Sequence, residues 1–287
     1  MKKVIEIRGL AYDYPDGTEA LRGVNMDVFE NQSVCLIGPN GSGKTTLLLH
    51  LNGILEGNNG SVRILGMDVN KNLKKIRAGV GMVFQDPDDQ LFSPTVFDDV
   101  AFGPINMGLS EGYKNKCPHH LSFGEKKKIS LAGVLSMDPE ILALDEPTAN
   151  LDPKSRRDLI KIIQNLKEEG KTIITATHDL NAVPDIVDRI YILNKTIIGE
   201  GTTRDMFLNA ELLKSQNLDI PDTAILFEVL SCFGYDPANL PLSIDDAIEH
   251  LTKTIGTEGG HIHLHFHEHT HDKLTEVRKK HGHHGHV

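Results

Sequence analysis

Eight consecutive residues, Gly38-Pro39-Asn40-Gly41-Ser42-Gly43-Lys44-Thr45, leave few folds open to this chain. They fit G-x-x-x-x-G-K-[ST], the pattern of a phosphate-binding loop. Ser33 to Ile37 before them reads as a short buried strand, and Thr46 to Leu51 after them as the first turns of a helix. Glycines let the backbone curl until its N–H groups point inward, and the start of the following helix adds the positive end of its dipole. Lys44 is expected at the β- and γ-phosphates and Thr45 on Mg²⁺. Each residue from Gly38 to Thr45 (Gly38, Pro39, Asn40, Gly41, Ser42, Gly43, Lys44, Thr45), with Thr46 beside them, is a candidate nucleotide contact.

A strand, a glycine loop and a helix need a sheet to sit in, and 287 residues suffice for one main domain and a smaller one. Hydrophobic residues make up 39 %, but Trp is absent and aromatics are 5 %, so packing must lean on Leu, Ile, Val and Met. The formal charge of -10 gives no broad basic surface for nucleic acid. The cysteines Cys35, Cys117 and Cys232 share no metal-ligand spacing, and Cys35 reads as a small core residue. Met1 to Ile7 lacks the apolar region of a secretory signal, and no uncharged run approaches a membrane span. Any membrane role is therefore expected from outside the bilayer.

Along the chain, Val4 to Leu10 and Asn25 to Phe29 predict an early antiparallel sheet, with a turn at Pro15-Asp16-Gly17. Ser61 to Leu65 and Gly79 to Phe84 predict strands, and Leu73 to Ile76 a helical turn. Val96 to Phe102 predicts a helix interrupted at Gly103-Pro104. Ser122 is a candidate N-cap for the helix running to Leu135, with Glu125 completing a capping box. Pro153 to Glu169 carries Leu159, Ile162, Ile163 and Leu166 at helical spacing. Thr172 to Thr177 is a β-branched strand, and Asp188 to Leu193 and Ile197-Ile198 are two more. Strands alternating with helices up to about Gly201 argue for a parallel or mixed sheet covered by helices.

Two strand ends carry chemistry. Ile141 to Glu146 is an apolar run closing in two acids, and ligands bind at the C-terminal edge of a parallel sheet. Asp145 there is a candidate Mg²⁺ ligand, and Glu146 a candidate base that polarises water. His178 closes the neighbouring 172–177 strand. Beyond Thr203, Met206 to Leu213, Ala224 to Leu230 and Ile244 to Leu251 predict a helical appendage without a catalytic cluster.

The last segment is rich in histidine. His261, His263, His265, His267, His269 and His271 alternate, and His281, His283, His284 and His286 follow. Imidazole suits Ni²⁺, Zn²⁺, Co²⁺ and Cu²⁺, so the segment reads as a metal-binding tail, with a solubilising tail as the alternative.

Taken together, these motifs resemble the nucleotide-binding subunit of ATP-binding-cassette (ABC) transporters over roughly Val4 to Thr202. The resemblance implies that Gln85 is the loop glutamine that senses Mg²⁺ and the transport partner. It makes Leu121-Ser122-Phe123-Gly124-Glu125 the family signature, Asn150-Leu151-Asp152 the inter-subunit loop and His178 the switch histidine at the γ-phosphate. Tyr14, with Tyr12 as the alternative, becomes the aromatic that stacks on adenine. The catalytic set is then Glu146, His178, Gln85 and Lys44, with Mg²⁺ on Thr45, Gln85 and Asp145. Ser122, Gly124 and Asp152 would complete the nucleotide site of a second cassette in a head-to-tail dimer, identical or merely similar. The fold implied is an α/β P-loop NTPase cassette with an N-terminal antiparallel β-subdomain, a helical subdomain and a small C-terminal helical region.

Tyr14-Pro15-Asp16-Gly17, Phe84 to Phe92 and His119-His120-Leu121-Ser122 further resemble the ATPases of energy-coupling-factor-type cobalt and nickel importers. That implies ATP hydrolysis at the cytoplasmic face of the membrane, driving metal import through integral membrane subunits, nickel first and cobalt second. Other substrates of that transporter type, or a soluble cassette ATPase with a metal-storing tail, are the alternatives. Two departures stand out. Phe123 replaces a glycine of the general signature, and the stretch between Gly103 and His119 is shorter by about one helix, which bears on coupling to the membrane partner. The expected domains are 1–204 for the ATPase, with the shortened helical part at about 96–137, then 205–256 for the appendage and 257–287 for the tail.

Overall fold

The computed structural model describes residues 1–100, 121–181, 183–231, 241, 246–249, 252 and 277. Its residues fall into two compact units, Met1–Thr202 and Thr203–Val287. The shortened stretch between Gly103 and His119, and all ten tail histidines, lie outside the described residues, as do Cys117 and Cys232.

The first unit holds two sheets. One is antiparallel, from β1 (Lys3–Asp13), β2 (Glu19–Phe29), β4 (Asn59–Ile64) and β5 (Met67–Asp68), in the order β2-β1-β4-β5. Its inward residues Val4, Ile5, Ile7, Leu10, Leu21, Val24, Met26 and Val28 are buried. β2 begins six residues before the strand expected from Asn25. Arg22 and Gly23 break the apolar alternation there, while β1 supplies the ladder, pairing Tyr12 with Leu21 and Asp13 with Glu19. The register shifts around Leu10 absorb the irregularity as bulges.

The second sheet has the order β10-β9-β3-β8-β7-β6. It is formed by β3 (Ser33–Ile37), β6 (Val80–Val83), β7 (Ile141–Asp145), β8 (Thr172–Ala176), β9 (Arg189–Asn194) and β10 (Thr196–Thr202). β10 alone is antiparallel to its neighbour. β3, β6, β7 and β8 are buried at every position, as strands covered on both faces must be. Cys35 lies in this core, fully buried. The helices are α1 (Lys44–Leu51), α2 (Leu73–Gly79), α3 (Phe123–Leu135), α4 (Pro153–Glu168) and α5 (Val183–Ile186).

α4 shows why the sequence folds locally as it does. Asp152 caps it, accepting from Lys154 N at 2.9 Å and Ser155 N at 3.0 Å, and Pro153 takes the first turn, where no N–H is needed. Leu159, Ile163 and Leu166 form its buried stripe. Each fully buried side chain of this kind contributes roughly 1.5–3 kcal/mol.

In the second unit are α6 (Thr203–Leu208), α7 (Ala210–Ser215) and α8 (Asp222–Ser231). The single helix expected over Met206 to Leu213 is two, because the Asn209 side chain accepts from Leu212 N at 3.1 Å and starts a new helix. Phe227 and Ala247 are buried together in this unit.

Candidate nucleotide site

The parallel ladders place four chain segments along one sheet edge. Leu36 pairs with Ala176, Asp145 with Ala176, and Leu144 with Val83. The residues that follow those strands are therefore neighbours: Gly38 after β3, Gln85 after β6, Glu146 after β7 and His178 after β8. Gln85 is exposed at this edge.

The glycine loop is held from two sides. A Cβ on Gly38 would lie 2.1 Å from the Leu193 carbonyl oxygen, and one on Gly43 would lie 2.6 Å from that of Ala20. Ser42 O accepts from Lys195 N at 2.9 Å. Gly41 and Gly43 take φ of 77° and 99°, the left-handed region that costs glycine nothing. α1 has no side-chain cap and no acid in its first turn, so its leading N–H groups are left for an anion. Lys44 is buried and donates to the Gly38 and Pro39 carbonyls at 2.8 and 3.1 Å. Burial lowers its pKa, opposed by the charges of Glu146 and Asp145.

Asp145 is 2 % exposed and its Oδ1 has no hydrogen-bond partner. Burial raises its pKa, Thr45 counters by hydrogen bonding, and the nearby Glu146 charge raises it further. Ser42 Oγ is likewise buried without a partner. Two orphaned oxygens, the Thr45 hydroxyl and an uncapped helix start suit a triphosphate carrying a hard, oxygen-seeking cation. Among the described residues no three His, Cys, Asp or Glu side chains gather as a metal cluster.

Glu146 has φ 43°, a left-handed conformation that costs a non-glycine residue roughly 1–3 kcal/mol. The surroundings hold it there. Its N–H donates to Ala176 O at 2.8 Å, and its own carbonyl accepts from Ala149 N at 3.2 Å. Its carboxylate accepts from Thr177 Oγ1 at 3.0 Å, His178 N at 3.4 Å and His178 Nδ1 at 2.7 Å. The end of β8 thus aims the carboxylate left by the end of β7.

Tyr14 and Tyr12 part company in the structure. Tyr12 packs against the core and stands edge-on to both Tyr14 and His50, at 5.1 and 5.0 Å. Tyr14 shares a 2.9 Å hydrogen bond with the Thr46 hydroxyl, beside the glycine loop. Ser122 caps α3 in the expected capping box: its Oγ accepts from Glu125 N at 3.3 Å and its N–H donates to Glu125 Oε2 at 2.9 Å. Gly124 faces Ser155, where a Cβ would come within 2.5 Å of the hydroxyl.

One buried residue near this edge had not been singled out from the sequence. Lys127 on α3 is 1 % exposed and donates to the Glu146 carbonyl at 3.2 Å and the Phe84 carbonyl at 3.3 Å. The signal was present, since Gly124, Lys127, Leu131 and Val134 follow helical spacing and all are buried. A run of three lysines reads as a solvated face, which hides it.

Residues 21–149 match the family model described as ABC transporter. The chain is 46 % identical over 274 residues to the energy-coupling factor transporter ATP-binding protein EcfA of Methanothermobacter thermautotrophicus, covering 88 % of each. It is 46 % identical over 248 residues to the protein of the same name from Methanococcus maripaludis, covering 79 % of this chain and 89 % of that one. Among solved structures, cbiO1 from Clostridium perfringens, described as part of the ABC transporter complex cbiONQ, is 37 % identical with a TM-score of 0.65, covering 79 % of this chain and 100 % of that one. The ATP-binding cassette MJ0796, solved as a dimer bound to ADP and Pi, is 26 % identical with a TM-score of 0.62, covering 70 % and 99 %.

Proposed function

Since this chain belongs to the ABC transporter family, as an ATP-hydrolysing subunit closely related to the EcfA ATPases of energy-coupling-factor transporters, we propose that its hydrolysis drives import through membrane-embedded partner subunits. The observation that carries this reading is the convergence of Lys44, Thr45, Asp145, Glu146 and His178 at one sheet edge. The chain works at the cytoplasmic face. Among the described residues no helix is long and apolar enough to cross a membrane.

The geometry supports the following roles. Asp145 and Thr45 would hold Mg²⁺, with Gln85 at the neighbouring strand end. When bound, the cation would supply charge neutralisation for the phosphates. Lys44 and the loop N–H groups stabilise the same charge as it develops. Glu146 orients the attacking water and receives its proton, while His178 and Thr177 hold the carboxylate in place. Tyr14 stacks on the base. Ser122, Gly124 and Asp152 serve the site of a second cassette, identical or similar; within one chain Ser122 and Asp152 are helix caps. The MJ0796 cassette's dimeric structure supports that pairing.

Beside Gln85 an apolar groove of about 1060 Å³ runs between α2, the 84–92 loop and α3, with Phe92 64 % exposed on its wall. It supports docking of the membrane partner on this face.

Two readings of the cargo rest on different observations. The His-rich segment from His261 to His286 supports a transition metal, nickel before cobalt. The EcfA relatives, whose names specify no substrate, support the same ATPase role for another cargo. Vesicles holding the chain with its co-purified membrane partners separate them by uptake of Ni²⁺ against Co²⁺. ATP-dependent uptake of Ni²⁺ that weakens on deletion of residues 261–287, with ATPase activity retained, supports the first. Uptake of neither metal removes it.

A further inference from the structure

Lys127 is an unusual residue to find fully buried. An ammonium group loses its hydration there and needs strong compensation. A leucine would fill this position on the stripe of α3, between Gly124 and Leu131, without that cost. Two observations show what the charge is attached to. Its Nζ donates to the carbonyl of Glu146 and to the carbonyl of Phe84, the residue before Gln85. Nζ also lies 6.0 Å from the centroid of the Phe123 ring, one helical turn back. Phe123 is where the general signature has glycine, so that departure supplies the aromatic face next to the ammonium.

The two carbonyls belong to the two segments whose positions matter most to the reaction. Glu146 sits in a strained left-handed turn at the end of β7. Phe84 ends the run from β6 into the Gln85 loop. The same loop is tied to α3 at two further points, by Lys126 Nζ to Asp88 at 2.7 Å and Gln90 Nε2 to Ser130 O at 3.2 Å. Lys127 alone of these three ties also reaches Glu146. Resting on the reading of Glu146 as the base, we propose that Lys127 is a positioning residue for hydrolysis, locking the turn that presents the base to the strand end that releases Gln85. A shift of α3 or of the 84–91 loop is then transmitted through one ammonium to the backbone of the base.

The test uses the full chain and steady-state ATP hydrolysis, with affinity for a fluorescent ATP analogue and a thermal melt measured in parallel. Lys127→Met keeps an unbranched stem, one bond shorter, and removes the donors. Its kcat is expected to fall about ten- to a hundredfold, the effect of a misplaced catalytic group, with KM and nucleotide affinity within about twofold. Lys127→Gln, uncharged and as short as Met but keeping an N–H donor, is expected between Met and the parent. If the Met variant does not fold, the Gln variant decides, and parental kcat there overturns the proposal. Lys128→Met, on the outer face where Lys128 pairs with Asp158, is expected to keep parental kcat. In a Glu146→Gln background Lys127→Met should remove nothing further, because the residue acts through Glu146. Parental kcat in Lys127→Met, with Glu146→Gln inactive, overturns the proposal and leaves the base assignment standing. Full turnover in Glu146→Gln overturns the base assignment itself. A loss of nucleotide affinity matching the loss of kcat also overturns the proposal, as it places Lys127 in binding.

Discussion

His178 Nδ1 lies 2.7 Å from Glu146 Oε1, so the residues closing two adjacent parallel strands share one hydrogen bond. Thr177 Oγ1 and His178 N complete the hold on the other carboxylate oxygen. A carboxylate fixed by three donors from one strand end has a defined direction before any substrate arrives, which is what a group that must orient water requires.

Glu146→Gln should therefore keep nucleotide affinity while turnover falls by about 10²–10⁴-fold, the usual contribution of a positioned base. Single-turnover hydrolysis alongside equilibrium binding checks this. Turnover within a few-fold of the parent would take Glu146 out of the reaction.

Asp145 predicts a conflict between stability and function. Burial raises its pKa above the ordinary 3.8, so the folded state holds the carboxyl proton more tightly than the unfolded chain. The penalty for the charged form is absent below the ordinary value and complete above the raised one. Asp145→Asn removes it. Melted without nucleotide or Mg²⁺, the Asn variant should have the higher Tm, each kcal/mol being worth about 2–4 °C in a chain of this size. With Mg²⁺ and ATP the parent should gain far more than the variant. A lower Tm for Asp145→Asn without ligand would refute the argument.

Lys127 gives a pH dependence of definite sign. Burial lowers its pKa from 10.5 to about 8, against the pull of Asp145, Asp86 and Glu146. Between those values the unfolded chain binds more protons than the folded one, so this residue's contribution to stability rises with pH across that window. Urea unfolding at pH 7.5 and 9.5 should show the parent gaining on Lys127→Met by roughly 1–2 kcal/mol, at 1.36 kcal/mol per unit. A constant difference between the two proteins would mean that the ammonium is not desolvated.

Gly38→Ala tests the seat of the phosphate loop. The new methyl would stand 2.1 Å from a backbone carbonyl, which cannot swing aside as a side chain would. Overpacking typically costs about 1–3 kcal/mol, and the upper end is expected here. Tm and nucleotide affinity should fall together; a variant that melts with the parent would show that β9 yields more readily than the contact implies.

Much of this site could be read from the sequence because its chemistry is written locally. The loop at Gly38 to Thr45, the acids closing β7 and the capping box at Ser122 and Glu125 each depend on residues within a few positions of one another. The adjacency of β7 and β8, which brings His178 to Glu146, needed only the alternation of strands and helices. What escaped was non-local. Lys127 makes its contacts with segments 43 and 19 residues away. β2 was read short because its first half depends on a partner strand rather than on its own pattern. The contacts that set Tyr12 and Tyr14 apart, with His50 and with Thr46, are also non-local.

The hydroxyl bond from Tyr14 to Thr46 has a consequence for what this molecule can hold. It fastens an aromatic ring to the third residue of α1, the helix that follows the phosphate loop. On the proposed role of Tyr14, a guest would be flat at one end and multiply charged at the other.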